Sequence, residues 1–377
     1  MIYLDNASTT PLDPEVLDAM TVYLKEEFGN PSSQHSAGRK TAVALLDARD
    51  KIAALAGCSS DEIYFTSGGT EAGNWALKGA CLARRGRGKH LVVSAIEHPA
   101  LIESAKDMIK FGWEVSFVMP DKDGVIRPED IKKAMRNDTV FCAVMHANNE
   151  TGVIQPVEEI GGICRENSVF YYCDCVQTAG VLPFPANCCN AAGISSHKFY
   201  GPNGFGALYL KKGSPILRLI SGGKQERGLR GGTSNVASAV GCAVALENAV
   251  KNREKNNAKI AEIRDAFVGR VLSEIDGTHL NGGSYRLPAN ANISFDGCTG
   301  ENLALLLDMK GVAVSTGSAC SAGAVTASHV LTAMGFEEDR VRSAVRFTFG
   351  KYNTAEEADT AVGLLKSAVA QIRSVRA

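Results

Sequence analysis

Short β-rich runs alternate with amphipathic helical stretches along most of this 377-residue chain, and that alternation restricts the fold more than any other feature. EIYFTS (62–67) leads into GGTEAGNWALKGACLA, and KHLVVSA (89–95) leads into PALIESAKDMIK. TVFCAVMH (139–146) precedes VEEIGGICREN, which precedes SVFYYCD (168–174). Such βα repetition predicts an α/β fold with a largely parallel sheet wrapped by helices. The strand segments are apolar almost throughout, as expected when both faces of a sheet are covered. A long charged stretch over roughly 236–275 reads as helical. From 290 onward come a strand (ANISF), a helix (ENLALLLDM), a Gly/Ser/Cys loop (315–324), a helix, a strand (VRFTF) and a last helix. That region predicts a second, smaller α+β domain.

Composition narrows the function. A net charge of -1, with 21% charged residues, gives no electrostatic reason to expect nucleic acid or a membrane surface as partner. The polar start, MIYLDNASTT, lacks the basic end and apolar run of a signal peptide. No uncharged apolar stretch is long enough to cross a bilayer, so the expectation is a cytoplasmic protein. The 11 cysteines are scattered, which suits small buried hydrophobes and occasional reactive thiols better than a disulfide framework. Cys173, Cys175, Cys188 and Cys189 do not follow C-x2-C metal spacing, and read as strand and turn residues.

In a βα unit, ligands bind in the loop after the strand's carboxyl end. Ser67-Gly68-Gly69-Thr70-Glu71 opens such a loop. Its glycines let backbone approach an anion, and the helix start supplies N–H donors, although Gly-Thr is also an ordinary cap. Glu97-His98-Pro99 follows the next strand, where a histidine is as readily a helix cap as a functional group. Asn148, Asn149 and Glu150 precede a glycine and could simply close a turn. Asp174 ends an apolar strand, where a carboxylate is costly without a cation, and Gln177 follows three residues on. Ser195, His197 and Lys198 stand just before a glycine-rich turn. An acid at a strand end followed by Ser-x-His-Lys suits pyridoxal 5'-phosphate (PLP), whose aldehyde needs a lysine and whose ring nitrogen needs an acid.

The chain resembles the NifS/IscS-type cysteine desulfurases, within the class V aminotransferase group of fold-type-I PLP enzymes. The likeness runs through nine blocks in order: YLDNASTT, FGNPSSQHSAGR, FTSGGTEAGN, EHPA, NNETG, DCVQ (174–177), SSHKFYGP (195–202), ERGLRGGT (226–233) and STGSACSAG (315–323). It implies a large PLP-binding domain (15–255) with a mainly parallel seven-stranded sheet flanked by helices. Residues 1–14 and 256–377 would form the small domain that carries Cys320.

The resemblance also implies roles. Lys198 would hold PLP as a Schiff base and move the substrate Cα proton. Asp174 would pair with the ring nitrogen, Gln177 with the phenolic oxygen, and His98 would stack on the ring and assist proton transfer. Gly69, Thr70, Ser195 and His197 would hold the phosphate, with Thr233 reaching it from the second subunit of a homodimer. Asn149 and Arg346 would bind the carboxylate of L-cysteine, and Asn149 also borders the cofactor. Cys320, among small residues with no apolar anchor, would take the sulfur as a persulfide, releasing alanine, and pass it to an iron–sulfur scaffold or a thiolation carrier. Thr316 stands where the family pattern has serine, and no Glu-Pro pair follows Cys320. Selenocysteine lyase, another class V activity, or a catalytically silent scaffold subunit are the rival readings. The silent subunit would lack the lysine or the cysteine, and both are here.

Overall fold

The structure, a computed structural model, describes residues 1–316 and 327–376. Its centre is a seven-stranded sheet in the spatial order Ile63–Thr66, Gly206–Leu210, Ala191–Ser195, Phe170–Asp174, Thr139–Ala143, His90–Ser94, Glu114–Val118. Gly206–Leu210 runs antiparallel to both its neighbours, and the other pairings are parallel. The expected α/β architecture and strand count are therefore present.

Successive side chains of a strand point to opposite faces, and here both faces are dry. Phe170 and Tyr172 enter one apolar cluster with Trp75, Leu101, Phe141 and Leu208. Tyr171 and Cys173 enter the other, with Ile63, Val144, Ile160 and Ile194. That two-sided burial explains the unbroken apolar runs. Cys173 and Cys175 are fully buried, their sulfurs 3.9 Å apart.

The charged stretch read as one helix over 236–275 is two, Val236–Lys251 and Arg253–Glu274, separated at Asn252 (φ -102, ψ 11). The break has a packing cause. The first helix lies against Pro14–Lys25 and Ser36–Ala56 on the large sheet. The second buries Ile263, Phe267 and Val271 in a separate core with Leu4, Phe295, Phe347 and Leu365. One straight rod could not serve both. This second core covers a three-stranded antiparallel sheet, Ala344–Thr348, Asn290–Phe295 and Thr278–Leu280. Val330, Leu331, Met334 and Val341, by contrast, pack into the core of the large sheet. Among the described residues no helix is long and apolar enough to cross a membrane.

Candidate active site

The parallel strands deliver their carboxyl ends to one edge of the sheet, and a cavity of about 280 Å³ opens there. Gly69, Thr70, His98, Asn149, Asp174, Gln177, Ser195, His197, Lys198 and Arg346 all line it. Ten residues chosen from sequence thus meet in one place. Thr233 lies exposed and is not among the lining residues. Cys320 lies outside the described residues, although Ser315, shortly before it, lines the cavity.

Part of the cavity's lining has the groups that suit an anion. The helix Gly69–Arg84 starts without a side-chain cap, its N-cap Gly68 sitting at φ 144, a conformation that disfavours any side chain. The first N–H groups of a helix have no intrahelical partner. A Cβ on Gly69 would stand 2.4 Å from Val176 Cγ2, so glycine is needed there. Thr70, Ser195 and His197 add polar groups around it. Burial, with Lys198 nearby, pushes His197 down to about 4, so its ring is neutral. Its Nδ1 lies 3.1 Å from Thr9 Oγ1.

Asp174, also in the lining, is held at its strand terminus, where Oδ1 accepts from Val176 N–H at 2.9 Å. Burial raises its pKa to about 6, against the lowering effects of that hydrogen bond and of Lys198. A carboxylate so placed gains from a cation brought to it. Near it stands Glu97, fully buried, with Oε1 accepting from Met145 N–H at 2.7 Å and Oε2 unpartnered among the described residues. Burial first, then Asp174, raises Glu97 to about 8.

His98 is the helix cap that one of its two readings described, and it also stands in the cavity. It caps the helix Pro99–Lys110, with Nδ1 accepting from Ala100 N–H at 3.1 Å, and it lines the cavity. Burial first, then Lys198, lowers it to about 4. The ring is neutral at pH 7, and the capping bond leaves its proton on Nε2.

The N-terminal segment supplies what sequence reading missed. Lys198 Nζ donates to the carbonyls of Ala7 and Ser8, at 2.7 Å each, and Gln177 Nε2 donates to Ala7 O at 3.0 Å. Arg346 Nη2 donates to Asp5 Oδ1 (2.8 Å) and Ser8 Oγ (2.6 Å), and Nη1 to Asn149 O (3.0 Å). Its Nε is buried without a partner among the described residues. The available signal was the YLDNASTT block itself, which carried the resemblance without any role attached to its residues.

An acid, an uncapped helix start with polar side chains beside it, a lysine and an imidazole thus line one cavity, and these are the kinds of group that PLP needs. Residues 2–360 match the family model described as "Aminotransferase class-V". The chain belongs to that family, whose members use PLP. It is 44% identical to a cysteine desulfurase IscS of Dictyoglomus turgidum over 99% of this chain and 96% of that one. It is 41% identical to a cysteine desulfurase IscS of Methanosarcina thermophila, over 99% and 93%. Among solved structures, a NifS-like protein superposes with a TM-score of 0.93 at 36% identity, covering 98% of this chain and 99% of that one. A structure described as SspA in complex with cysteine superposes with a TM-score of 0.83 at 32% identity, covering 94% and 100%.

Proposed function

We propose that this protein is a PLP-dependent cysteine desulfurase that converts L-cysteine to L-alanine and leaves the sulfur as a persulfide on Cys320. The observation that carries the reading is the single cavity in which Lys198, Asp174, His98 and Arg346 converge, on a chain related end to end to cysteine desulfurases.

Asp174 would hold the cofactor's ring nitrogen, Gln177 its phenolic oxygen, and Gly69, Thr70, Ser195 and His197 its phosphate. PLP, when bound, supplies an electrophilic carbon for an amine and an electron-withdrawing ring. Arg346 and Asn149 orient the substrate carboxylate, the planar guanidinium matching it in a fork. Lys198, seated at the Ala7 and Ser8 carbonyls, takes the Cα proton once its amine is free. His98, neutral and carrying its proton on Nε2, donates rather than accepts at that atom. The Cys320 thiolate attacks the substrate sulfur. An S–S bond forms, the C–S bond breaks with its electrons moving to carbon, and protonation there completes alanine. Attack needs thiolate, so the rate rises with pH as the thiols deprotonate.

The same reading covers the assembly. Thr233 would serve the phosphate of the second subunit in a homodimer, and 15–255 and 1–14 with 256–377 would be the large and small domains. The acceptor would be an iron–sulfur scaffold or a thiolation carrier, in the cytoplasm. Adding L-cysteine to the yellow protein should yield alanine and, with a reductant, sulfide. Cys320→Ala should stay yellow and lose sulfide release, and normal turnover by that variant would remove Cys320 from its role. Lys198→Ala should lose the cofactor absorbance on dialysis; its persistence would point to another lysine. Comparing sulfide and selenide yields from cysteine and selenocysteine tells this activity from a selenocysteine lyase, and sulfide release from cysteine is the expected result.

A further inference from the structure

One residue beyond Thr70, in the first turn of the helix that opens the anion cup, stands a carboxylate. Glu71 is nearly buried, with 9% of its side chain exposed. Oε2 accepts from Ser67 N–H at 2.8 Å, which closes the first turn of the helix onto the loop before it. A negative charge here suits the helix start but opposes a phosphate dianion bound alongside. Arg230 resolves the conflict. Its Nε donates to Glu71 Oε1 at 2.8 Å and its Nη2 to Oε2 at 2.9 Å, in a two-pronged pair. Burial pushes the Glu71 carboxyl up, yet Arg230 and Ser67 outweigh it and hold its pKa below the usual range.

Arg230 lies three residues before Thr233, in a segment whose backbone is forced. Glu226 (φ 44, ψ 46) and Arg227 (φ 56, ψ 30) are consecutive left-handed non-glycine residues, an arrangement that persists only where its surroundings impose it. The surroundings do so. Glu226 takes both prongs of the buried Arg49 at 2.7 Å each and accepts from Phe65 N–H at 2.9 Å. Arg227 lies 3.9 Å over the Tyr64 ring and donates to Ile63 O. Two ion pairs therefore pin the 225–233 segment, Glu226 to Arg49 of the helix Ser36–Ala56 and Arg230 to Glu71 in the first turn of the helix that opens the cup.

We propose that Glu71 and Arg230 are positioning residues of the cofactor-phosphate cup: Arg230 cancels the carboxylate beside Thr70 and, through it, fixes the segment that carries Thr233. This rests on the reading of Thr70, Ser195 and His197 as phosphate ligands. One glutamate then ties the cup of its own subunit to the threonine offered to the other.

The test compares equilibrium binding of PLP and of pyridoxal, which lacks the phosphate, to the cofactor-free full-length protein. The ratio of the two affinities reads the cup alone. Arg230→Gln unmasks Glu71 and should lower the preference for PLP by about tenfold, as expected when one member of a half-buried ion pair is removed. Glu71→Gln should hold or raise the preference. The double variant, with both charges gone, should return to within about threefold of the parent. A plain structural pin predicts instead that Arg230→Gln weakens both ligands alike, which would overturn the proposal, as would a double variant no better than Arg230→Gln. Should Arg230→Gln fail to fold, Arg230→Lys keeps the charge and should keep most of the preference; its collapse to the pyridoxal level would likewise overturn it. Thr70→Ala separates the underlying reading. If that change leaves the preference intact, the phosphate binds elsewhere, whatever the charge variants do.

Discussion

Charge at single residues decides what this site can accept. Asp174 has a pKa raised from 3.8 to about 6 by burial, so the native state takes up its proton at a higher pH than the unfolded chain does. The resulting contribution to stability is fully present below the ordinary value and lost as pH rises through about 6. At pH 8 the buried carboxylate is a liability that the ring cation proposed as its partner would relieve. Cofactor-free Asp174→Asn should therefore be more stable than the parent at pH 8, by on the order of 1–3 kcal/mol. The difference should vanish near pH 3, and the variant should bind PLP more weakly. Thermal unfolding at the two pH values checks this; equal midpoints at pH 8 would show that Asp174 carries no such cost. His98 runs the other way. Its pKa is depressed from 6.5 to about 4, so its contribution is present above the ordinary value and disappears as pH falls through about 4.

At the scale of elements, the site depends on how closely the helix Gly69–Arg84 approaches the turn after Phe170–Asp174. Gly69 and Val176 set that distance, since any Cβ at 69 meets Val176 Cγ2 at 2.4 Å. Gly69→Ala should push the helix start off the loop, costing about 1–3 kcal/mol as overpacking does and weakening PLP binding. Val176→Ala in the same chain should recover part of both, because it removes the colliding methyl groups. Melting and PLP titration of the single and double variants measure the recovery; no rescue by Val176→Ala would place the defect elsewhere. The two-helix break at Asn252 belongs to this scale as well. Helical periodicity runs through it, and only the need to cover two cores separates the halves.

For the whole molecule, the proposed exchange of Thr233 between subunits has a direct consequence. Thr233→Ala should weaken PLP binding at both sites of a homodimer without touching Lys198. Mixed with Lys198→Ala subunits, it should form hybrids in which one site joins an intact Lys198 to an intact Thr233 from its partner. About one parent-like PLP site per hybrid is the expected result in an absorbance titration of the isolated hybrid. Recovery of no site would mean that Thr233 serves its own subunit.

The sequence by itself determined the class of fold and most of the site's chemistry. Apolar runs bounded by Gly, Ser and Asp are local signals, and they put Thr70, His98, Asp174 and Lys198 at strand ends, where the sheet must gather them. The shared blocks then pointed to PLP and to Cys320. Tertiary structure alone decided what those groups touch. Ala7 and Ser8 meet Lys198 across some 190 positions, and Asp5 meets Arg346 across 341. Backbone carbonyls carry no residue-type signature, and such pairings cost chain entropy that only the packed cores offset. The left-handed turn at Glu226, the unpartnered oxygen of Glu97 and the Glu71–Arg230 pair have the same origin. Each is a local cost held in place by contacts that exist only once the chain has closed on itself.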